Sequence, residues 1–274
     1  MTIAEALHAA AERLAATSDT ARLDAELLMA HALGASRSDM LLRHMRDAPP
    51  DAFAPLVDRR AAHEPIAYIL GWTEFYGHRF QVEPGVLIPR GDSETIIAAA
   101  LEIVPGAQRV LDMGTGSGAL LITALLELDG AHGIGIDASP RAVEVAGANA
   151  QALGLIGARA RILERDWHDA GWSHDLGQFD LVLCNPPYVE DEADLDADVR
   201  DYEPASALFA GAEGLDDYRV IIPQLGKLLL PGGAAVLEIG ASQADAVGEI
   251  ARQAGFSTQL RRDLANRPRA LILT

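Results

Sequence analysis

From Arg109 onward the chain alternates short, almost wholly apolar runs with longer amphipathic ones, and no other feature limits the possible fold as much. The runs Arg109–Met113, His132–Asp137, Ala158–Glu164, Phe179–Cys184 and Ala234–Gly240 are predicted strands. Helices are predicted near residues 118–128, 140–153, 216–229 and 242–254, most of them between strands. Strands this apolar need cover on both faces, so the pattern predicts an α/β fold with a parallel sheet between helical layers. Phe256–Arg262 and Arg269–Thr274 are predicted to close one edge as a hairpin.

Residues 1–64 read differently, as short helices. Apolar positions between Ala21 and Leu33 roughly follow a helical period, with Asp19 or Thr20 as N-cap and Gly34 as a left-handed stop. Ser36 to Asp39 has capping-box spacing, Pro49-Pro50 breaks the helix it starts, and Asp51 to His63 forms another. From Pro65 the period changes again. Tyr68–Trp72 and Phe75–Val82 are aromatic and β-branched runs broken by glycine, which predicts a hairpin. Val86-Leu87-Ile88-Pro89 then leads into a helix that starts near Asp92-Ser93-Glu94. The domains expected are residues 1–84, a helical recognition domain with a β-hairpin linker, and residues 85–274, the α/β domain.

The 274-residue chain is 49% apolar, enough for one large core and a smaller one. It has no run of about 18 apolar residues, and its start (Met1-Thr2-Ile3-Ala4-Glu5) lacks a basic segment followed by an apolar one. A soluble, cytoplasmic protein without a membrane partner is expected. The single cysteine, Cys184, excludes an internal disulfide. Net charge is −18, and residues 85–274 hold 28 carboxylates against 14 cations. Nucleic-acid binding needs clustered cations, so direct contact with nucleic acid is not expected.

Two motifs carry chemistry. Leu111-Asp112-Met113-Gly114-Thr115-Gly116-Ser117-Gly118 closes the first strand of the alternating region. Ligands of open α/β sheets sit at the carboxyl ends of strands, where the strand order reverses. Asp137 ends the next strand, 23 residues after Gly114, where a carboxylate can accept both hydroxyls of a ribose. This pair suits a nicotinamide dinucleotide as well as S-adenosylmethionine, because glycines followed by an acid about 20 positions on satisfy both patterns. Asp112 favours S-adenosylmethionine, since a carboxylate there suits a methionine ammonium and repels a pyrophosphate. Trp167, after the third strand, stands where an adenine ring would rest, or packs as core.

The second motif is Asn185-Pro186-Pro187-Tyr188, which follows Leu181-Val182-Leu183-Cys184 directly. Two prolines cannot continue a strand, and the residue before a proline is held extended. The Asn185 side chain and the Asn185 and Pro186 carbonyls are therefore rigid at the sheet edge beside the glycines. An amide nitrogen is a poor nucleophile because its lone pair is delocalised. Two fixed acceptors, the Asn185 side-chain oxygen and the Pro186 carbonyl, can take both N–H bonds and turn that lone pair toward a sulfonium methyl. Pro187 and Tyr188 would supply apolar walls. The eight histidines show no ligand spacing, so no metal is expected, and no Gly-x-Ser-x-Gly or P-loop occurs.

At these residues the chain resembles the release factor glutamine methyltransferases (the HemK/PrmC family). The resemblance includes Glu64–Gly71, Glu74–Gly77 and Leu87–Arg90, and continues through Asp112–Gly118, Asn185–Tyr188, Glu203-Pro204, Gly214–Asp216 and Glu238–Gly240. It implies a Rossmann-like class I methyltransferase sheet with a small N-terminal helical domain and a linking β-hairpin. It also implies methyl transfer from S-adenosylmethionine to the glutamine of the Gly-Gly-Gln motif in class 1 peptide chain release factors. Gly114, Thr115, Gly116, Ser117, Gly118, Asp137 and Trp167 would contact the cofactor, with Asp112 and Asn185 beside them. Asn185, Pro186, Pro187 and Tyr188 would hold the glutamine. The family's Pro-Arg-Pro-Asp-Thr-Glu stands here as Pro89-Arg90-Gly91-Asp92-Ser93-Glu94, and its Gly-x-Asp-Arg as Asn266-Arg267-Pro268-Arg269. A ribosomal-protein glutamine methyltransferase and a DNA or RNA exocyclic-amine methyltransferase are the alternatives. Residues 190–203 hold eight acids against Arg200 and read either as a solvated loop or as a surface that steers a basic partner.

Overall fold

Thr2 starts the first helix for a local reason. Its hydroxyl accepts from Glu5 N and the Glu5 carboxylate accepts from Thr2 N, a reciprocal cap. In the computed structural model, which describes residues 1–155, 157 and 159–274, the chain continues from α1 (Ile3–Leu14) to α2 (Ala21–Leu33). Helix α2 ends at Gly34, whose φ of 64° lies in the left-handed region that glycine enters without penalty. Thr20 precedes α2, but its hydroxyl donates to the Asp24 side chain and does not cap the backbone. Next come α3 (Arg37–Asp39), a π-helical turn (Met40–His44), α4 (Phe53–Ala61) and α5 (Ile66–Leu70). Their core gathers Ile3, Leu7, Leu14, Leu28, Met29, Phe53 and Ile69. Arg60 donates to Asp24 at 2.7 Å inside this unit, so each buried charge has its opposite.

Helix α5 replaces the strand expected over Tyr68–Leu70. The Pro65 carbonyl accepts from Tyr68 N and Ile69 N, Gly71 stops the turn at φ 77°, and Ala67, Tyr68 and Ile69 are buried. Packing in the helical core overrides the β propensity of Tyr68 and Ile69. Only then does the hairpin form, from β1 (Trp72–Phe75) and β2 (His78–Gln81).

The contacts divide the chain into two compact units, Met1–Trp72 with Leu195–Tyr202, and Thr73–Asp194 with Glu203–Thr274. Leu195–Tyr202 thus belongs with the N-terminal helices, where the Tyr202 hydroxyl donates to Ala62 O at 2.8 Å. The acidic stretch is therefore not one continuous solvated loop. Glu203, at its end, is buried and accepts from Ile88 N and the Arg90 side chain.

The second unit is built from α6 (Glu94–Ile103), β3 (Arg109–Met113), α7 (Ala119–Glu127), β4 (His132–Asp137), α8 (Pro140–Ala152), β5 (Ala160–Glu164) and β6 (Phe179–Cys184). After α9 (Ala197–Arg200), which lies in the first unit, follow α10 (Asp216–Leu228), β7 (Leu229–Glu238), α11 (Ala244–Gln253), β8 (Thr258–Arg262) and β9 (Pro268–Leu273). Strand order is β5-β4-β3-β6-β7-β9-β8, parallel as far as β7, with β9 antiparallel to β7 and β8. The sheet is a doubly wound α/β sheet with its order reversing between β3 and β6. Ala158, predicted to begin β5, lies outside the described residues. Strand β7 begins earlier than predicted, because Leu229 pairs with Phe179 before the register shifts ahead of the Leu181–Ala234 pair. No helix among the described residues is long and apolar enough to cross a membrane.

Side chains alternate across the strands as pleating requires. Val110, Leu181, Leu183 and Val236 pack with α6 and α7. Leu111, Met113, Val182 and Leu237 pack with Tyr218, Ile221 and Leu225 of α10. Both faces are dry. Helix α7 approaches β4 so closely that a Cβ on Gly133 would stand 2.5 Å from Leu121 Cδ1 and 3.1 Å from the Val110 carbonyl. Gly133→Ala should therefore lower unfolding stability by about 1–3 kcal/mol, the usual cost of overpacking. Urea denaturation checks this, and a variant as stable as the parent would show that the contact can relax.

Candidate active site

The parallel register of β3 and β6 pairs Met113 with Cys184, so both strands stop at the same level. The next residues, Gly114 and Asn185, are neighbours: a Cβ on Gly114 would stand 3.8 Å from the Asn185 carbonyl oxygen. It would also stand 3.2 Å from Cη2 of Trp167, so the indole ring occupies the space that a side chain at 114 would need. Gly114 N and Thr115 N donate to Ile136 O, which ties the loop to the end of β4. Gly118 does not reach the cavity wall. It starts α7 at φ 84°, where a Cβ would meet Ile122 Cδ1 at 2.7 Å.

A cavity of about 330 Å³ opens above this edge. Of the predicted residues, Gly114, Thr115, Gly116, Ser117, Asp137, Trp167, Asn185 and Pro187 line it, and Asp112, Gly118, Pro186 and Tyr188 do not. Asp137 Oδ2 accepts from Gly116 N and its Oδ1 from Ser139 N, both at 2.9 Å. Each oxygen keeps a second lone pair for a ligand hydroxyl. Burial raises this carboxyl above the ordinary range, while the two backbone bonds oppose the shift.

Asp112 lies fully buried under the loop. Its Oδ2 accepts from the Thr115 hydroxyl at 2.7 Å and from Leu121 N at 3.2 Å, so it braces the turn from below. Burial pushes its pKa up to about 7.

Tyr188 turns away from the cavity. Its hydroxyl donates to Glu238 Oε1 at 3.1 Å and accepts from Arg269 Nη1 at 3.4 Å, in a recess shared with Arg90 and Asp92. Its amide donates to Leu208 O and its carbonyl accepts from Gln243 Nε2 at 3.0 Å. The tetrapeptide is thus pinned at backbone and side chain. Burial beside Glu238 raises the phenol, which stays a neutral donor. The buried Glu238 also accepts from the hydroxyl of Ser93, a residue on the cavity wall. Burial raises this carboxyl, and the Ser93 bond opposes the shift. Cys184 is fully buried, which pushes its thiol well up and leaves it inert as a nucleophile.

Residues that sequence reasoning passed over also reach the wall, among them Ser93, His168 and Asp217. Asp217 accepts from the Trp167 indole N–H at 2.8 Å. No spacing announces it. Only its place in the first turn of α10, at the carboxyl edge of the sheet, could have marked it.

A carboxyl whose pKa is higher folded than unfolded holds its proton more tightly in the native state. Its stabilising contribution is complete below about pH 4 and is lost as pH rises through the folded value, about 7 for Asp112. Asp112→Asn removes this term. The stability of the parent relative to the variant should therefore fall between pH 5 and pH 8, by about 1 kcal/mol or more. Urea unfolding at both pH values measures it, and a constant difference would contradict the buried-charge reading.

Residues 5–71 match the family described as PrmC N-terminal domain, and residues 106–237 match a methyltransferase domain family. The release factor glutamine methyltransferase of Cereibacter sphaeroides is 41% identical over 263 residues, covering 94% of this chain and 92% of that protein. That of Caulobacter vibrioides is 38% identical over 282 residues, covering 99% and 96%. A methyltransferase structure from Pyrococcus furiosus superposes with a TM-score of 0.54 at 16% identity, covering 72% of this chain and 89% of the other, a likeness of fold. With such identity along nearly its whole length, the chain belongs to the release factor glutamine methyltransferase family.

Proposed function

We propose that this protein transfers the methyl group of S-adenosylmethionine to the side-chain amide nitrogen of a glutamine, the one in the Gly-Gly-Gln motif of class 1 release factors. The observation that carries this reading is the β3–β6 register, which sets Asn185 beside Gly114 on the wall of a single cavity. The cavity suits the cofactor. Gly116 faces open space: among the described residues, apart from its own chain neighbours, no atom lies within 4 Å of where its Cβ would stand, so a ligand can approach the backbone there. Asp137 offers an anchored carboxylate for ribose hydroxyls, and Trp167 an aromatic surface beside the glycines. Gly114, Thr115, Gly116, Ser117, Asp137 and Trp167 are the proposed contacts, with Asp112 and Gly118 shaping the loop from behind.

When bound, S-adenosylmethionine supplies an electrophilic methyl on a sulfonium. The protein's part is alignment. The Asn185 side-chain oxygen, on the cavity wall, and the Pro186 carbonyl, next in the chain and just outside that wall, are proposed to accept the two amide N–H bonds and turn the nitrogen lone pair toward the methyl. As positive charge develops on nitrogen, the same acceptors stabilise it. Pro187 gives an apolar wall, while Tyr188 acts by anchoring the tetrapeptide through Glu238 and Gln243. As the N–CH3 bond forms, the sulfonium S–CH3 bond would break and S-adenosylhomocysteine would leave as a neutral thioether. The alkylated nitrogen, now acidic, would release its proton to solvent, so no base is needed before transfer. The N-terminal helical unit is proposed to meet the protein acceptor, in the cytoplasm. The excess of carboxylates in residues 85–274 argues against a nucleic-acid acceptor.

Labelled-methyl transfer tests this with a release factor, a ribosomal protein and DNA offered separately. Label should appear on the release factor and vanish when its motif glutamine is changed to alanine. Asn185→Ala should lower the rate by about 10²–10³, as loss of a preorganised transition-state contact does. Label on DNA, or on the release factor lacking that glutamine, would sink the proposal.

A further inference from the structure

Helix α10 grips Trp167 at two points. The indole Nε1–H donates to Asp217 Oδ1 at 2.8 Å, and the Trp167 main-chain carbonyl accepts from Gln224 Nε2 at 3.2 Å. Asp217 and Gln224 are seven residues apart, close to two helical turns, so one face of α10 carries both. Gln224 fixes only the main chain of Trp167. The ring itself is bonded to Asp217 and packs against Gly114 and the His168 ring.

The ring's direction matters because the ring packs on the glycine loop. A Cβ on Gly114 would stand 3.2 and 3.3 Å from the ring atoms Cη2 and Cζ3. Trp167, Gly114 and Asp217 all line the cavity. Asp217 itself is only 8% exposed, which raises its carboxyl, and the indole bond and the His168 ring at 3.6 Å oppose the shift. A carboxylate in the first turn of a helix can also serve only to complement the helix dipole. The indole bond gives it a more specific task here.

We infer that Asp217 is a positioning residue for the cofactor: by accepting the indole N–H it holds the Trp167 ring against Gly114 as one wall of the binding cavity. This rests on the proposed binding of S-adenosylmethionine there. Without the acceptor, the ring is free to leave its rotamer and the wall is lost while the loop stays in place.

The test uses Asp217→Ala, Asp217→Asn, Trp167→Phe and the double variant Trp167→Phe/Asp217→Ala in the full chain. Asp217→Ala should weaken S-adenosylmethionine binding about tenfold, as one lost charge-assisted hydrogen bond does. kcat at saturating cofactor should change by less than about threefold, because the interaction acts on binding. Asp217→Asn keeps a carbonyl acceptor without the charge and should recover most of the affinity, which a helix-dipole role would not allow. The double variant should bind no more weakly than Trp167→Phe alone. Without any ligand, the indole N–H resonance that is missing in Trp167→Phe should move upfield in Asp217→Ala. Unchanged affinity, multiplying penalties in the double variant or an unmoved resonance would overturn the inference alone. Parent protein that binds no S-adenosylmethionine would overturn the proposed function, and this inference with it.

Discussion

The site depends on one pairing, the parallel ladder between β3 and β6. Its register ends both strands at the same height, with Met113 opposite Cys184. One strand then passes into glycines, and the other into a residue held extended by two prolines. A shift of one residue would reverse the faces of β6 and bury Asn185 against a helix. That shift is blocked from both sides, since Leu181 and Leu183 belong to one core and Val182 and Cys184 to the other. The cores therefore set the position of the Asn185 amide, and the loops inherit it.

Buried and half-buried carboxylates then hold the two motifs in shape. Asp112 braces the glycine turn through Thr115 and Leu121, and Asp137 ties Gly116 and Ser139. Glu238 joins Ser93 to Tyr188, while Asp217 holds the Trp167 indole. Each carboxylate accepts hydrogen bonds from groups that need a fixed place, and each is raised by burial. Such groups are costly unless satisfied, and the bonds they make fix the local geometry, although Asp112 Oδ1 is left without a partner among the described residues. The rigidity suits the proposed reaction, in which alignment of the amide matters and no base acts before transfer.

Much of this was legible in the residues. The apolar runs of β3, β4 and β6 are strands, because a continuous apolar segment of that length has few other places to go. Gly114–Gly118 and Asn185–Tyr188 were legible because glycine and proline act on their own backbone. What depends on distant partners was not. Tyr68–Leu70 has strand composition yet forms α5, since Pro65, Gly71 and the helical core decide it. Tyr188 looks like a cavity wall in the sequence, but Glu238 and Arg269, 50 and 81 positions away, turn its ring elsewhere. Asp112 looks like a ligand for an ammonium and is buried under the loop. The acids of residues 190–203 read as one stretch, and Glu203 proves to be a buried partner of Arg90.

The central claim is that Asn185 and Pro186 present an amide nitrogen, and no other atom, to the methyl donor. Nuclear magnetic resonance can observe that bond. A release factor carrying nitrogen-15 in its glutamine side-chain amides would be incubated with the protein and carbon-13 methyl S-adenosylmethionine. The product is predicted to show a single new methyl carbon with a one-bond coupling to an amide nitrogen-15. A labelled methyl on the release factor without that coupling would contradict the claim.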